Sequence, residues 1–224
     1  MRKLLLSGIV IISLLHVRGQ SVQAAISYDY LYNKQWDKLI QTYNESRPFL
    51  EEKQPLFQHG MNGAIGYSFP SASRVNHGIR LGYSLFLSGA DNEGLTNTLL
   101  LHSVTLNYQF VLDSLWKSAH LYCFGEAGVS GNGVYRRING EPFIVDEKRS
   151  KAWGIGASLE TGIGYHLPVG SRFTVDPFAS FHCLPGFYFP GIERVINQTQ
   201  GLITNDFSVT FALRVGVRLR LVRN

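Results

Sequence analysis

Residues 153–167 read WGIGASLETGIGYHL and alternate along their length. Trp153, Ile155, Ala157, Leu159, Ile163 and Tyr165 share one parity. Gly154, Gly156, Ser158, Glu160, Gly162, Gly164 and His166 share the other. Successive side chains of a strand point to opposite faces, so this stretch has an apolar face and a face of small and polar groups around one carboxylate. The twelve residue steps from Trp153 to Tyr165 cover about 40 Å of strand. Tilted by roughly 40°, that strand rises about 30 Å, close to the thickness of a bilayer's hydrocarbon layer. An aromatic ring at each end of the apolar face, Trp153 and Tyr165, predicts an interfacial girdle around a lipid-facing band. Glu160 and the glycines then face the inside of a closed barrel, where small residues leave room for side chains from the opposite wall.

Six other segments carry the same period: Gly60–Phe69, His77–Ser88, Leu101–Phe110, Ala119–Ser130, Arg172–Cys183 and Phe207–Leu221. In the last, Phe207, Val209, Phe211, Leu213, Val215, Val217, Leu219 and Leu221 oppose Ser208, Thr210, Ala212, Arg214, Gly216, Arg218 and Arg220. Ordinary soluble strands average five or six residues, and these are about twice as long. The connections alternate too. Pro70–Asn76, Val111–Ser118 and Pro168–Ser171 are short, whereas Gly89–Thr98, Gly131–Lys151 and Leu184–Asn205 are longer and polar. Short periplasmic turns opposite longer external loops mark outer-membrane barrels. Asn139-Gly140, inside the second long connection, is a hairpin signal and predicts that its flanking strands run on past the membrane.

Seven strands are odd, and bacterial single-chain barrels use even numbers. An eighth must precede Gly60. Trp36–Pro48 (WDKLIQTYNESRP) is the candidate, although Trp36, Leu39, Ile40 and Tyr43 also fit helical spacing. Phe187–Val195 is the other, but Pro190 interrupts it and it would reverse the loop-length logic. The predicted fold class is all-β: an eight-stranded antiparallel up-and-down transmembrane β-barrel.

The chain opens MRKLLLSGIVIISLLHVRGQSVQAA. A basic start, a short apolar run and small residues at Val22-Gln23-Ala24 have the layout of a cleaved secretory signal. This gives residues 1–24 as signal peptide and 25–224 as one barrel domain, with 25–59 an N-terminal segment holding the poorly defined first strand. Loss of the signal removes three basic residues from a formal +5 and leaves about +2, so charge gives no support to nucleic-acid binding. Cys123 and Cys183 are the only cysteines, too few for a zinc site. His102 and His166 belong to no metal-spaced cluster. No cofactor or metal is expected.

The pattern from Gly60 to Leu221 resembles the small eight-stranded outer-membrane barrels of Gram-negative bacteria, in the manner of the OmpA and OmpX transmembrane domains. In style it is similar to small barrels of Bacteroidetes-type bacteria. One departure is the end of the chain: LRLVRN has no terminal aromatic, and Phe211 is the last one.

The lumen parity carries Arg80, Glu126, Glu160, Asp176, Arg214 and Arg218. Buried charges are costly unless paired or hydrated, so these form either a salt-bridge plug or a gated conductance path. Both versions require the last-strand arginines to meet acids across the lumen. Ser180 and His182 lie two apart on one face. A turn centred near Pro168–Val169 sets residue 160 opposite about 178, bringing Glu160 near both. A hydroxyl, an imidazole and a carboxylate are the parts of a nucleophilic triad. The resemblance implies a precedent, since some small outer-membrane barrels modify lipid A. Those enzymes carry a His-x-Ser order facing lipid, whereas here the order is Ser-x-His facing the lumen, and polar lining is the better reading. The expected role is structural, interactional or that of a small channel. The partners are outer-membrane lipid and a protein or glycan at the external loops, with Glu147-Lys148-Arg149 and Ile192–Ile196 exposed there. The alternatives are a lipid A-modifying enzyme and a soluble secreted barrel with an apolar ligand inside.

Overall fold

The computed structural model describes residues 21–48, 51–69, 75–92, 94–113, 120–139, 141–142, 144–145, 148–149, 151–189 and 207–222. Eight long strands build one closed sheet: β1 (Ser21–Tyr32), β2 (His59–Phe69), β3 (Val75–Asn92), β4 (Leu95–Leu112), β5 (Leu121–Ile138), β6 (Lys151–Tyr165), β7 (Phe173–Phe189) and β8 (Phe207–Val222). Each pairs antiparallel with its sequence neighbours. Pairing of β8 with β1, from Phe211↔Tyr32 to Val222↔Ser21, closes the ring. Closure leaves no long strand with an unpaired edge.

The first strand is not within Trp36–Pro48. It is β1, SVQAAISYDYLY, and the expected segment is instead the helix α1 (Lys34–Glu45). The reason is local. Trp36, Leu39, Ile40 and Tyr43 make an i, i+3, i+4, i+7 stripe, and all four are buried. Asn33 caps the helix by accepting hydrogen bonds from the backbone of Gln35 (3.0 Å) and Trp36 (3.1 Å). Its amide also donates to Ser208 (2.7 Å) and Thr210 (2.6 Å) of β8, which fixes where the helix enters the barrel mouth. Asn33→Ala is expected to destabilise the docked helix by about 1–2 kcal/mol. Amide exchange in α1 should quicken while barrel amides keep their protection.

β1 also begins four residues before the expected mature start at Ala25. Ser21–Ala24 pair on both sides, with Leu219–Val222 and with Ile65–Ser68.

The connections are shorter, and the strands longer, than the sequence suggests. The expected loop at Gly89–Thr98 is mostly strand, because β3 and β4 continue to a tight turn in which Gly94 has φ +79°. That backbone region suits glycine. β5 likewise runs on to Ile138, which pairs with Glu141 around Asn139 at φ +50°, as Asn139-Gly140 predicts. At 18 residues each, β3, β4 and β5 extend about 60 Å, enough to project beyond a bilayer when tilted. The last long connection lies partly in β7, and residues 190–206 fall outside the described residues.

α1 closes the long-loop end. Its apolar stripe packs on Phe57 and on the inward side chains Phe86, Leu99, Leu101 and Val134 of β3–β5. Trp36 meets the Phe57 ring edge-on at 5.5 Å. Around this apolar plug runs a polar collar. Arg136 Nε donates to Asn97 (2.9 Å), and Asn97 donates to Gln54 (2.9 Å). Gln54 in turn donates to the Ser88 carbonyl (2.8 Å).

Candidate functional site

The lumen is where the sequence concentrates its charge, and the structure brings those charges into one network. Arg214 on β8 stands beside Asp29 on β1 in register. It donates to that carboxylate through Nε (2.8 Å) and Nη2 (2.7 Å), the forked geometry that suits guanidinium and carboxylate. Its Nη1 reaches Glu160 on β6 at 2.6 Å. Ser180 donates to the other Glu160 oxygen at 2.7 Å.

Glu160 and Glu126 are direct cross-strand partners on β6 and β5. Two like charges in that position repel. Arg80, reaching in from β3, resolves the conflict by bridging them, at 2.8 Å to Glu126 and 3.4 Å to Glu160. Glu126 also accepts from Gln109 (2.6 Å) and Asn107 (3.1 Å). Arg80, Glu126, Glu160 and Arg214 are each no more than 4% exposed. Buried ions survive only with partners of this quality.

Below, toward the short turns, Arg218 is buried 3.9 Å from Glu126 and lies over the rings of Phe124 (4.8 Å) and Phe178 (5.3 Å). Val111, Tyr122, Phe124 and Phe178 form a second apolar layer here, where a cation over ring faces is favoured. Asp176 sits lower still. It is the register partner of Arg218, but the arginine that pairs with it is Arg220, at 3.3 Å.

Of the residues singled out from sequence, the lumen charges therefore face inward, and all but Asp176 join one central network. The last-strand arginines reach acids in two ways: Arg214 pairs with its β1 neighbour and also reaches Glu160, while Arg218 approaches Glu126. Asp29 was not anticipated. Its strand fell in a segment read as signal and as loosely defined, yet the alternation of Val22, Ala24, Ile26, Tyr28, Tyr30 and Tyr32 around Ser21, Gln23, Ser27 and Asp29 is a clear period of two.

The hydroxyl, imidazole and carboxylate are close together, in a different arrangement from the one expected. The turn between β6 and β7 is centred near Gly170, φ +76°, because Leu167–Val169 first pair with Phe173–Val175. This moves the register by four residues, and Glu160 lies opposite His182 rather than opposite about 178. Ser180 donates to Glu160 and is not the hydroxyl on the imidazole. His182 Nε2 instead meets Ser158 at 3.0 Å. Arg214 Nη2 lies 3.1 Å from His182 Nδ1. A guanidinium only donates, so Nδ1 must accept, and Nε2–H donates to Ser158. That is the wrong tautomer to remove a proton from the hydroxyl. The cluster is built to hold position, not to activate a nucleophile.

Polarity is inverted relative to a water-soluble protein. Ile155 is 69% exposed and Val129 62%, while Glu160 is 4% and Arg218 0%. Between the two inward apolar layers, every strand turns apolar side chains outward, among them Ile26, Ile65, Leu81, Leu106, Leu159, Phe181 and Val215. The chain is a transmembrane β-barrel. The alternative of a soluble barrel with an apolar interior is overturned by this arrangement. Rings gather toward both ends of the barrel's outer face. At the long-loop end Trp153 packs against Tyr135 (5.6 Å) and His102 (6.1 Å). At the other, Tyr165 lies by His120 (5.6 Å), and Tyr108 hydrogen-bonds His77 at 3.0 Å. Cys123 and Cys183, both free, lie on β5 and β7 with β6 between them.

Solved structures with this fold include Neisserial surface protein A, at 12% identity over 91% of this chain and 96% of that one, with a TM-score of 0.49. Ail, the attachment invasion locus protein of Yersinia pestis, matches at 10% identity over 90% and 99%, TM-score 0.43. OprG, an outer membrane protein of Pseudomonas aeruginosa, matches at 8% over 92% and 98%, TM-score 0.43. No protein-family model matches the sequence, and no curated protein matches it significantly.

Proposed function

We propose that this protein is a sealed barrel of a bacterial outer membrane whose work is done at its long-loop face, as a structural or interaction protein. The observation that carries the reading is the double closure of the lumen. An apolar plug fills the long-loop end, and below it Arg80 and Arg214 cross-link the walls through Asp29, Glu126 and Glu160. Among the described residues, the side chains that make up both layers are buried. The barrel is therefore better suited to hold up a surface than to conduct, and the small-channel version loses ground. That surface includes the exposed face of α1, where Lys34, Lys38, Gln41 and Glu45 point away from the plug. A protein or glycan is the partner class that such polar external segments suit, and lipid contacts the apolar belt.

Export requires an N-terminal signal, and residues 1–20 supply its basic start and apolar run. Because Ser21–Ala24 are paired on both flanks, the cleavage that spares the sheet falls ahead of Ser21, not after Ala24. N-terminal sequencing of the membrane-extracted protein decides between them.

Two measurements test the reading. Refolded into detergent and run unboiled on a gel, the protein is expected to migrate faster than the boiled sample, and only when detergent is present during refolding. A folded, monodisperse protein without detergent contradicts it. In planar bilayers the same sample is expected to give no steady conductance steps. A stable ohmic current would restore the channel reading.

A further inference from the structure

The short-turn end of the barrel carries a cluster that the sealed-lumen reading does not use. His166, between β6 and the Leu167–Val169 segment, has a carboxylate at each ring nitrogen. Its Nε2 lies 3.2 Å from Asp113 Oδ1 and its Nδ1 lies 3.1 Å from Asp176 Oδ1. The second contact is within ion-pair range but off the line of the ring N–H. The ring stacks on Tyr122 at 4.3 Å and 13°, and the His166 backbone N–H donates to the His120 carbonyl at 2.8 Å.

Each carboxylate also belongs to another element. Asp113, at the end of β4, accepts from Asn76 at the start of β3. Asp176, on β7, pairs with Arg220 of β8 at 3.3 Å. Through one imidazole, the β2–β3, β4–β5 and β6–β7 ends are thus joined to β7 and β8 across the mouth. The surroundings favour the charged ring. A carboxylate only accepts, and imidazolium alone sets positive charge and an N–H beside both Asp113 and Asp176. Neutral His166 would turn a lone pair toward one of the two acids, and that contact would become repulsive.

We propose that His166, held as imidazolium between Asp113 and Asp176, is a pH-sensitive latch that ties the short-turn mouth of the barrel shut and releases it on deprotonation.

The charged groups facing the ring are Asp113 from the β4 end, Asp176 from β7 and Arg220 from β8. Tyr122 of β5 covers one ring face, and Asn76 of β3 acts through Asp113. Burial pushes the His166 pKa down, the adjoining carboxylates of Asp113 and Asp176 push it up, and the Arg220 charge opposes them. The balance lies above the ordinary histidine value. For a group raised on folding, the stabilisation is fully present below the unfolded histidine pKa and is lost as pH rises through the folded one. The latch is therefore closed in mildly acidic conditions and opens on the alkaline side. Its release would expose the lower lumen, where the Tyr122 hydroxyl, both Arg218 Nη atoms and both Asp176 oxygens have no in-line hydrogen bond within the protein, to water from the short-turn side.

The test uses the whole protein refolded in detergent micelles. Long-range proton–nitrogen correlation spectra of its imidazoles would be recorded across pH, with the His166 signals assigned by their loss in His166→Gln. The expected result is a His166 ring with both nitrogens protonated at pH 6 and a titration above the ordinary histidine range. Amide protection around Asp113 and His166–Gly170 should then fall through that same pH range, beyond the base catalysis seen in the rest of the barrel. Gln donates but does not titrate, so His166→Gln should lose the pH dependence while keeping the barrel. Asp113→Asn, which needs no change at the ring, should move the His166 titration down. A neutral His166 ring at pH 6, titration at or below the ordinary histidine value, or turn protection that ignores its titration would each overturn the latch.

Discussion

Arg214→Met is expected to lower the unfolding free energy of the refolded barrel by about 3–5 kcal/mol, the usual loss when one partner of a buried ion pair is removed. The expectation follows from what the arginine leaves behind. Asp29 would lose both prongs of its fork, at 2.7 and 2.8 Å, and Glu160 its 2.6 Å partner. Beside the Ser180 hydroxyl, Glu160 would keep a single cation, Arg80 at 3.4 Å, and Arg80 already serves Glu126. A methionine fills most of the arginine's stem volume, so the loss reports charge rather than packing. Urea titration of the protein in micelles, followed by the gel shift between folded and unfolded forms, measures it. Adding Asp29→Asn to Arg214→Met should return part of the loss by removing one stranded carboxylate. A single-variant loss below about 1 kcal/mol, the range of solvent-exposed pairs, would mean that water already reaches this layer and that the lumen is not sealed there.

Trp36→Ala is the second large effect, and it should be local. Trp36 is wholly buried and anchors α1 against Phe57 and the upper barrel wall. Large-to-small changes of this kind cost about 3–5 kcal/mol, more than a docked 12-residue helix is able to absorb when isolated helices of that length are marginal in water. The segment from Asn33 to Gln58 should become sensitive to protease while the barrel keeps its heat-modifiable migration. Bilayer conductance should stay absent, because the Arg80–Arg214 layer still spans the lumen beneath. Unchanged protease resistance would show that the polar collar of Gln54, Asn97 and Arg136, not the apolar stripe, holds the helix. A new conductance in Trp36→Ala would show that α1 is the sole seal.

Much of this molecule follows from its alternation. Inside and outside are set by period two, so the inward placement of Arg80, Glu126, Glu160, Asp176, Arg214 and Arg218 and the outward placement of Trp153 and Tyr165 are legible residue by residue. So are the long strands and the Asn139 turn, since both depend on neighbours in sequence. β1 was legible in the same way and was obscured only because a signal-like segment runs straight into it. The helical spacing of Trp36, Leu39, Ile40 and Tyr43 was equally visible. What it could not reveal was that this stripe turns into the barrel mouth, because its apolar partners Phe86, Leu99, Leu101 and Val134 lie on three other strands.

Partnerships inside the lumen were beyond the sequence for a related reason. Register between strands depends on where each turn is centred, and a turn displaced toward Gly170 shifts the register by four residues, so that His182 stands opposite Glu160 and holds Ser158 instead of Ser180. Closure of the ring then decides which charges meet: β8 pairs with β1 at the seam, and Arg214 finds Asp29 only because of it. By itself, the sequence determined that the chain is a lipid-facing barrel with a charged interior, because parity along a strand is a local property. Only the tertiary structure decided that the interior is paired and plugged, because that depends on side chains converging from strands far apart in the chain.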